Sequence, residues 1–180
     1  MEKKGNYLKI FGDRIYLRPI TIDDTEKVLS WRNSPYVVNN FFYRLSISEE
    51  EHNNWIENKV NKGLVYQFVV HLKDTDEEIG CVYLQHYEAV DNSMESGVFM
   101  SEDAPKGQGL GTEAVKLMND KVAFEMLGLS KTVARVIATN SASLRLHEKA
   151  GFNEISREKE KLIPSGEIVE CVTFVYLRNE

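Results

Sequence analysis

At 180 residues the chain has the length of one domain with a sizeable core. Its 42% apolar and 28% charged residues are those of a soluble globular protein, which excludes a fibrous or disordered chain. A formal charge of −6 argues against a nucleic-acid backbone as partner, because such proteins present a basic face; it suits a cationic amine, although solubility alone also explains it. No run approaches membrane-spanning length, and Met1–Asn6 carries no apolar signal core. Cys81 and Cys171 sit far apart inside apolar runs, with no metal-type spacing. The expectation is a single domain over residues 1–180, cytoplasmic, with two buried free thiols and no metal, nucleic-acid or membrane partner.

In chain order, Arg14–Ile20 alternates charged and apolar side chains and predicts a half-buried strand stopped at Pro19. Asp23 and Asp24 cap a helix over Thr25–Trp31, which Arg32-Asn33-Ser34-Pro35 breaks. Tyr36–Leu45 is rich in asparagine and aromatics, material for a pocket wall or for core packing. Ser48 with Glu51 forms a capping box opening a helix through His52, Trp55, Ile56 and Val60, ended by Gly63. Val65–Leu72 and Glu78–His86 read as a hairpin across the polar turn Lys73–Glu77. Met94–Met100 is a third strand. A long helix over Gly111–Met126 places Ala114, Met118, Val122 and Met126 on one face, and Gly128 closes it. Lys131–Ala138 is a strand, and Asn140-Ser141 starts a helix that Gly151 ends. Asn153–Lys161 and Ile168–Leu177 flank the turn Pro164-Ser165-Gly166. Runs of strands broken by helices predict a mixed, partly antiparallel α/β sheet.

The informative stretch is Ala104–Ala114, where Gly107, Gly109 and Gly111 alternate ahead of the long helix. Glycine lets a backbone turn tightly and approach a ligand, and a helix starting there aims unpaired N–H groups and its positive dipole end at the loop. Together they make a cradle for a phosphate or pyrophosphate, with an ordinary glycine turn as the plainer alternative. A Walker-type loop is excluded because no lysine follows Gly111. A dinucleotide fingerprint fails too, since position 114 is alanine and Lys131 stands where an acid belongs.

Lys106-Gly107-Gln108-Gly109-Leu110-Gly111 resembles the Arg/Gln-x-x-Gly-x-Gly/Ala loop of the GNAT N-acetyltransferases, with lysine at the first position. Asn140–Phe152 resembles their Asn-x-x-Ser-x-x-Leu-Tyr-Glu-Lys-x-Gly-Phe segment, and Tyr16-Leu17-Arg18-Pro19 extends the likeness toward the N-terminus. The resemblance implies the GNAT acyl-CoA N-acyltransferase fold, a mixed and mostly antiparallel sheet splayed at the cofactor site and flanked by helices. It implies acetyl-CoA as co-substrate and no metal. Backbone N–H groups from Gln108 through Gly109, Leu110 and Gly111 to Thr112 would hold the pyrophosphate, with Ser101, Lys106 and Gly107 also among the cofactor-binding residues. Phe99 and Met100, on the splayed strand, would pair with the pantetheine and polarise the thioester through a backbone N–H. Asn140 and Ser143 would contact the pantetheine arm, with an N-cap as the other role of Asn140.

Many relatives carry a tyrosine general acid where this chain has His147; a histidine can donate a proton or be structural. Glu95 is the leading candidate for a general base acting through water, with His52 as a second. Trp31-Arg32-Asn33 and Glu51-His52-Asn53-Asn54-Trp55 resemble signatures of nucleotide-aminosugar N-acetyltransferases of the PseH type, within the RimJ/RimL-like branch. That likeness implies transfer to the 4-amino group of a UDP-linked amino-dideoxy sugar, with Arg32, Asn33 and His52 touching substrate. The same outline resembles enzymes that acetylate spermidine or ribosomal-protein N-termini. A non-catalytic acetyl-CoA sensor is the alternative of another class, and edge strands of this fold are compatible with a homodimer.

Overall fold

The computed structural model describes residues 9–178, so the reading of Met1–Asn6 lies outside the described residues. Eight strands form one sheet: β1 (Ile10–Phe11), β2 (Ile15–Pro19), β3 (Tyr66–Leu72), β4 (Glu78–Glu88), β5 (Ser93–Met100), β6 (Lys131–Ile137), β7 (Asn153–Lys161) and β8 (Ile168–Leu177), in the spatial order β1-β2-β3-β4-β5-β6-β8-β7. Every neighbouring pair is antiparallel except β5–β6, which is parallel because a helical crossover joins the two strands. The α-helices are α1 (Thr25–Arg32), α2 (Pro35–Val38), α3 (Glu49–Trp55), which runs on through the π-helical Ile56–Val60, α4 (Leu110–Leu117) and α5 (Ser141–Ala150), with a 3-10 turn over Ile22–Asp24 ahead of α1. Among the described residues no helix is long and apolar enough to cross a membrane.

The central strands are buried on both faces. Leu17, Val70 and Val82 pack with Ala114, Val115, Met118 and Phe174 in the larger core, while Val69, Cys81 and Phe99 point the other way and meet Val28, Val37 and Ile56. The period-2 alternation of these strands therefore feeds two cores. Both cysteines are buried free thiols, as expected.

Three local expectations are corrected. Asp24 stands at the N-cap of α1, but its carboxylate turns away, accepting from Arg18 at 2.7 and 2.9 Å and from the Thr21 N–H at 2.7 Å. Ser34-Pro35 does more than break a helix. The Ser34 hydroxyl accepts from the Val37 N–H at 3.3 Å and Pro35 opens α2, as proline does in a first helical turn. Finally, α4 continues through Met118–Met126 in wider π-helical turns, with the Leu127 N–H bonded to the Val122 carbonyl five residues back. A wider turn rotates each residue less, so the apolar stripe drifts. Ala114, Met118 and Val122 are fully buried, whereas Met126 is 65% exposed.

The sheet parts in its middle. Pairing between β5 and β6 covers Ser93, Met94 and Glu95 only, although β4 follows β5 to Met100 and β8 follows β6 to Ile137. Past Glu95 the two strands diverge, and Ser96–Met100 keeps a neighbour on one side alone.

Candidate active site

The glycine loop follows β5 directly. Gly107 and Gly109 take left-handed backbone angles, φ +72° and +73°, and Gly109 caps α4. No atom lies within 4 Å of where a Gly107 Cβ would stand, and the nearest to a Gly109 Cβ is Arg14 Nη2 at 3.8 Å, so conformation rather than space demands glycine at both. Gly111 differs, because a Cβ there would meet Leu146 Cδ1 at 2.7 Å; it lets α4 pack on α5. Arg14 clamps the loop from β2's approach. Its Nη1 donates to the Gln108 carbonyl at 2.6 Å and its Nε to Glu113 at 3.0 Å. Lys106 rests over the Tyr36 ring, 4.7 Å from its centroid.

Beyond the loop, the parted strands open into a cavity of about 520 Å³ beneath α1 and α3. Of the candidate residues it gathers Arg32, His52, Glu95, Phe99, Ser143 and His147 on one lining. Asn33 is not brought there; its amide donates to the Ile47 carbonyl and accepts from the Ile47 N–H, both at 2.9 Å, pinning the segment before α3. Asn140 caps α5 by accepting from the Ser143 N–H at 3.2 Å. Ser101 spends its backbone N–H on the Ile79 carbonyl at 2.9 Å. Phe41, Phe42 and Tyr43 of the aromatic stretch line it too, whereas Tyr83, Arg135 and Gln85 on the same lining escaped the sequence reading. The one sequence cue for Tyr83 is Gly97, a strand glycine that signals close approach by a neighbour.

The protonation states follow from the hydrogen bonds. His147 is 2% exposed; its Nδ1–H donates to the Ser143 carbonyl at 2.8 Å, and Nε2 is buried without a partner. Burial holds its pKa below the ordinary histidine value, so the ring is neutral and Nε2 carries a lone pair at pH 7. That arrangement favours an acceptor over an acid at this position. His52 is also held neutral by burial. The Thr25 hydroxyl donates to Asn53 at 2.7 Å, which leaves it to accept from His52 Nδ1 at 2.9 Å. Glu95 accepts from Gln85 Nε2 at 3.4 Å and lies 3.3 Å from His86 Nδ1.

A pH dependence of stability follows. The three buried histidines, His52, His71 and His147, bind protons more weakly folded than unfolded because burial disfavours the charged ring, so stability is complete above the unfolded pKa of about 6.5 and falls as pH drops below it. Thermal melts should therefore show a falling midpoint between pH 7 and 5, with a shallower fall in His147→Gln. Parallel curves for the two proteins would remove His147 from that account.

Arg32 is the most unusual group. It is 7% exposed, its Nη2 donates to the Tyr43 carbonyl at 2.7 Å, and its guanidinium stacks 4.1 Å from the Phe41 ring centroid. Nη1 has no partner, and among the described residues no carboxylate pairs with Arg32.

A sheet parted beside a left-handed glycine cradle, with a cavity at the fork, defines the acyl-CoA-dependent N-acyltransferases. The sequence matches the acetyltransferase (GNAT) domain over residues 14–153, and the chain belongs to that family. It is 29% identical to "Probable N-acetyltransferase YjcK" of Bacillus subtilis, covering 84% of this chain and 88% of that one. It is 27% identical to the uncharacterized protein MJ1062 of Methanocaldococcus jannaschii over 86% of this chain, and spans only 31% of that protein's length. In fold it is similar to the spermidine N-acetyltransferase of Vibrio cholerae solved with CoA and spermine, with a TM-score of 0.82, 20% identity, and coverage of 92% of this chain and 96% of that one.

The chain is thus an acetyl-CoA-dependent N-acetyltransferase. The residues present fit the co-substrate: an open left-handed cradle at a helix start suits a pyrophosphate, and the unpaired edge of Ser96–Met100 offers backbone groups to an amide-bearing arm. Acetyl-CoA supplies the activated acyl carbon; the protein holds and orients it.

Proposed function

We propose that the acceptor is the 4-amino group of a UDP-linked amino-dideoxy sugar. The observation that carries this reading is Arg32, a cation nine-tenths buried on the cavity lining with no counter-ion among the described residues. Burying an unpaired ion costs several kcal/mol even after relaxation. An acceptor with a diphosphate supplies the missing charge, and Arg135 on the same lining adds to the attraction. His52, fixed by Thr25, presents its free ring nitrogen as an acceptor for a sugar hydroxyl. Glu95 takes the ammonium proton through water, which lets the nitrogen attack in a ternary complex. Two buried free thiols suit the reducing cytoplasm, where we place the reaction.

A polyamine is the second reading, favoured by Glu51 and Glu95 on the lining and by the likeness to the spermidine enzyme. Against it, Glu51 is engaged in capping α3, accepting from the Ser48 N–H at 2.7 Å, and Arg32 repels a polycation. The test is thiol release from acetyl-CoA over a panel holding a UDP-linked 4-amino-dideoxy sugar, spermidine and an N-terminal peptide. The sugar nucleotide should lead in kcat/KM. Preference for spermidine would discard the anionic acceptor while leaving acetyl transfer intact.

A further inference from the structure

Tyr83 on β4 stands directly opposite Gly97 on β5. Its ring crosses over that glycine: a Cβ at position 97 would fall 2.1 Å from Tyr83 Cζ and 2.3 Å from the phenolic oxygen. The absent side chain is therefore the seat of the phenol, which enters the cavity at the level where β5 has already left β6. Burial above all, then the Glu95 carboxylate and Cys81, hold the phenol's pKa up, the Arg32 guanidinium opposes them, and the hydroxyl makes no hydrogen bond among the described residues. A donor is thus built into the fork of the sheet and given no partner there. His147, on the same cavity lining, has its one ring proton committed to the Ser143 carbonyl and only a lone pair at Nε2.

We propose that the Tyr83 hydroxyl is the hydrogen donor to the sulfur that leaves during acetyl transfer. The inference needs acetyl transfer from CoA but no particular acceptor. In the step, the amine nitrogen bonds the acetyl carbon and the C–S bond breaks with its electron pair on sulfur. The phenolic proton passes to that sulfur, and the phenolate recovers one that the nitrogen has released through Glu95. The other proton lost by the ammonium goes to solvent, so charges and atoms balance. Burial and Glu95 keep the phenol protonated until then, and Arg32 eases the transient negative charge on its oxygen.

The test is Tyr83→Phe, which removes one oxygen without a protein partner and should keep the thermal midpoint. The first readout needs no acceptor: the thiol of bound CoA is titrated by its thiolate ultraviolet absorbance. Cys81 and Cys171 stay silent, because burial raises both thiols. The bound thiol should ionise at lower pH in the wild type than in Tyr83→Phe, since the phenol stabilises the thiolate. The second readout is turnover on whichever member of the amine panel the wild type accepts, expected to fall about 10²–10⁴-fold, with acetyl-CoA affinity by calorimetry unchanged. Identical thiol titrations, undiminished turnover, or a loss confined to acetyl-CoA affinity would each overturn the assignment.

Discussion

Replacing Arg32 with methionine is expected to weaken use of an anionic acceptor severely while acetyl-CoA still binds. Removing one partner of a desolvated charge pair costs about 2–5 kcal/mol, roughly 30-fold to several-thousand-fold in KM. Methionine keeps an unbranched apolar stem but removes the guanidinium, so the charge and its stack on Phe41 are lost together. It also deletes the charge-assisted bond to the Tyr43 carbonyl, worth about 1.5–3 kcal/mol, which thermal melts should register separately. Arg32→Lys is the sharper control. It restores charge but not the planar fork that serves Tyr43 and the acceptor together, and should recover only part of the activity. If Arg32→Met instead improved turnover on the sugar nucleotide, or left its KM unchanged, the anion reading would fail.

The second large effect is expected at Gly109. A valine there has room, with no atom nearer than 3.8 Å, but a β-branched residue at φ +73° is a genuine outlier. The loop should relax toward negative φ and swing the N–H groups at the start of α4 out of line. Each exposed dipole contact is worth about 0.3–1 kcal/mol. Losing three or four together amounts to about 1–4 kcal/mol, roughly five-fold to several-hundred-fold in acetyl-CoA affinity by calorimetry. Gly109→Asn, which tolerates the left-handed region better, should lose less. Gly111→Ala should instead lower the melting midpoint, since its added carbon meets Leu146 rather than the ligand. Undiminished acetyl-CoA affinity in Gly109→Val would refute the pyrophosphate cradle.

What the sequence made legible is what local chemistry decides. The Ser48–Glu51 box, the glycine stop at Gly151 and the β-branched and aromatic runs of the β3–β4 hairpin each depend on residues a few positions apart, and each appears as expected. The parting of β5 from β6 came from the family likeness, not from periodicity. Contacts between distant residues were hidden. Arg14 reaches Gln108 and Glu113 across the whole N-terminal half, and nothing in the strand pattern of Arg14–Ile20 marks it as a clamp. Tyr83 over Gly97 requires the β4–β5 register, which hairpin length alone leaves free. The π-helical stretch after Leu117 escaped for a related reason: its composition is ordinary for a helix, and the change in pitch shows only in the folded backbone bonds and in the exposure of Met126. At position 147 the residue was legible but its proton was not, because the Ser143 carbonyl decides which nitrogen carries it.

The fork in the sheet has one more consequence. A strand flanked on one side only leaves alternate amides without partners inside the molecule, a condition that elsewhere invites pairing with a stray chain. Here the vacancy faces inward, between two halves of the same sheet, where another protein's edge cannot slide in. Pairing with the co-substrate's amide-bearing arm, as the family resemblance implies, would make that arm a ninth strand in a sheet built with eight. Recognition of the arm would then be a completion of architecture, open to any acyl-CoA with the same arm, and the choice among acyl groups would fall to the few side chains at the fork's apex.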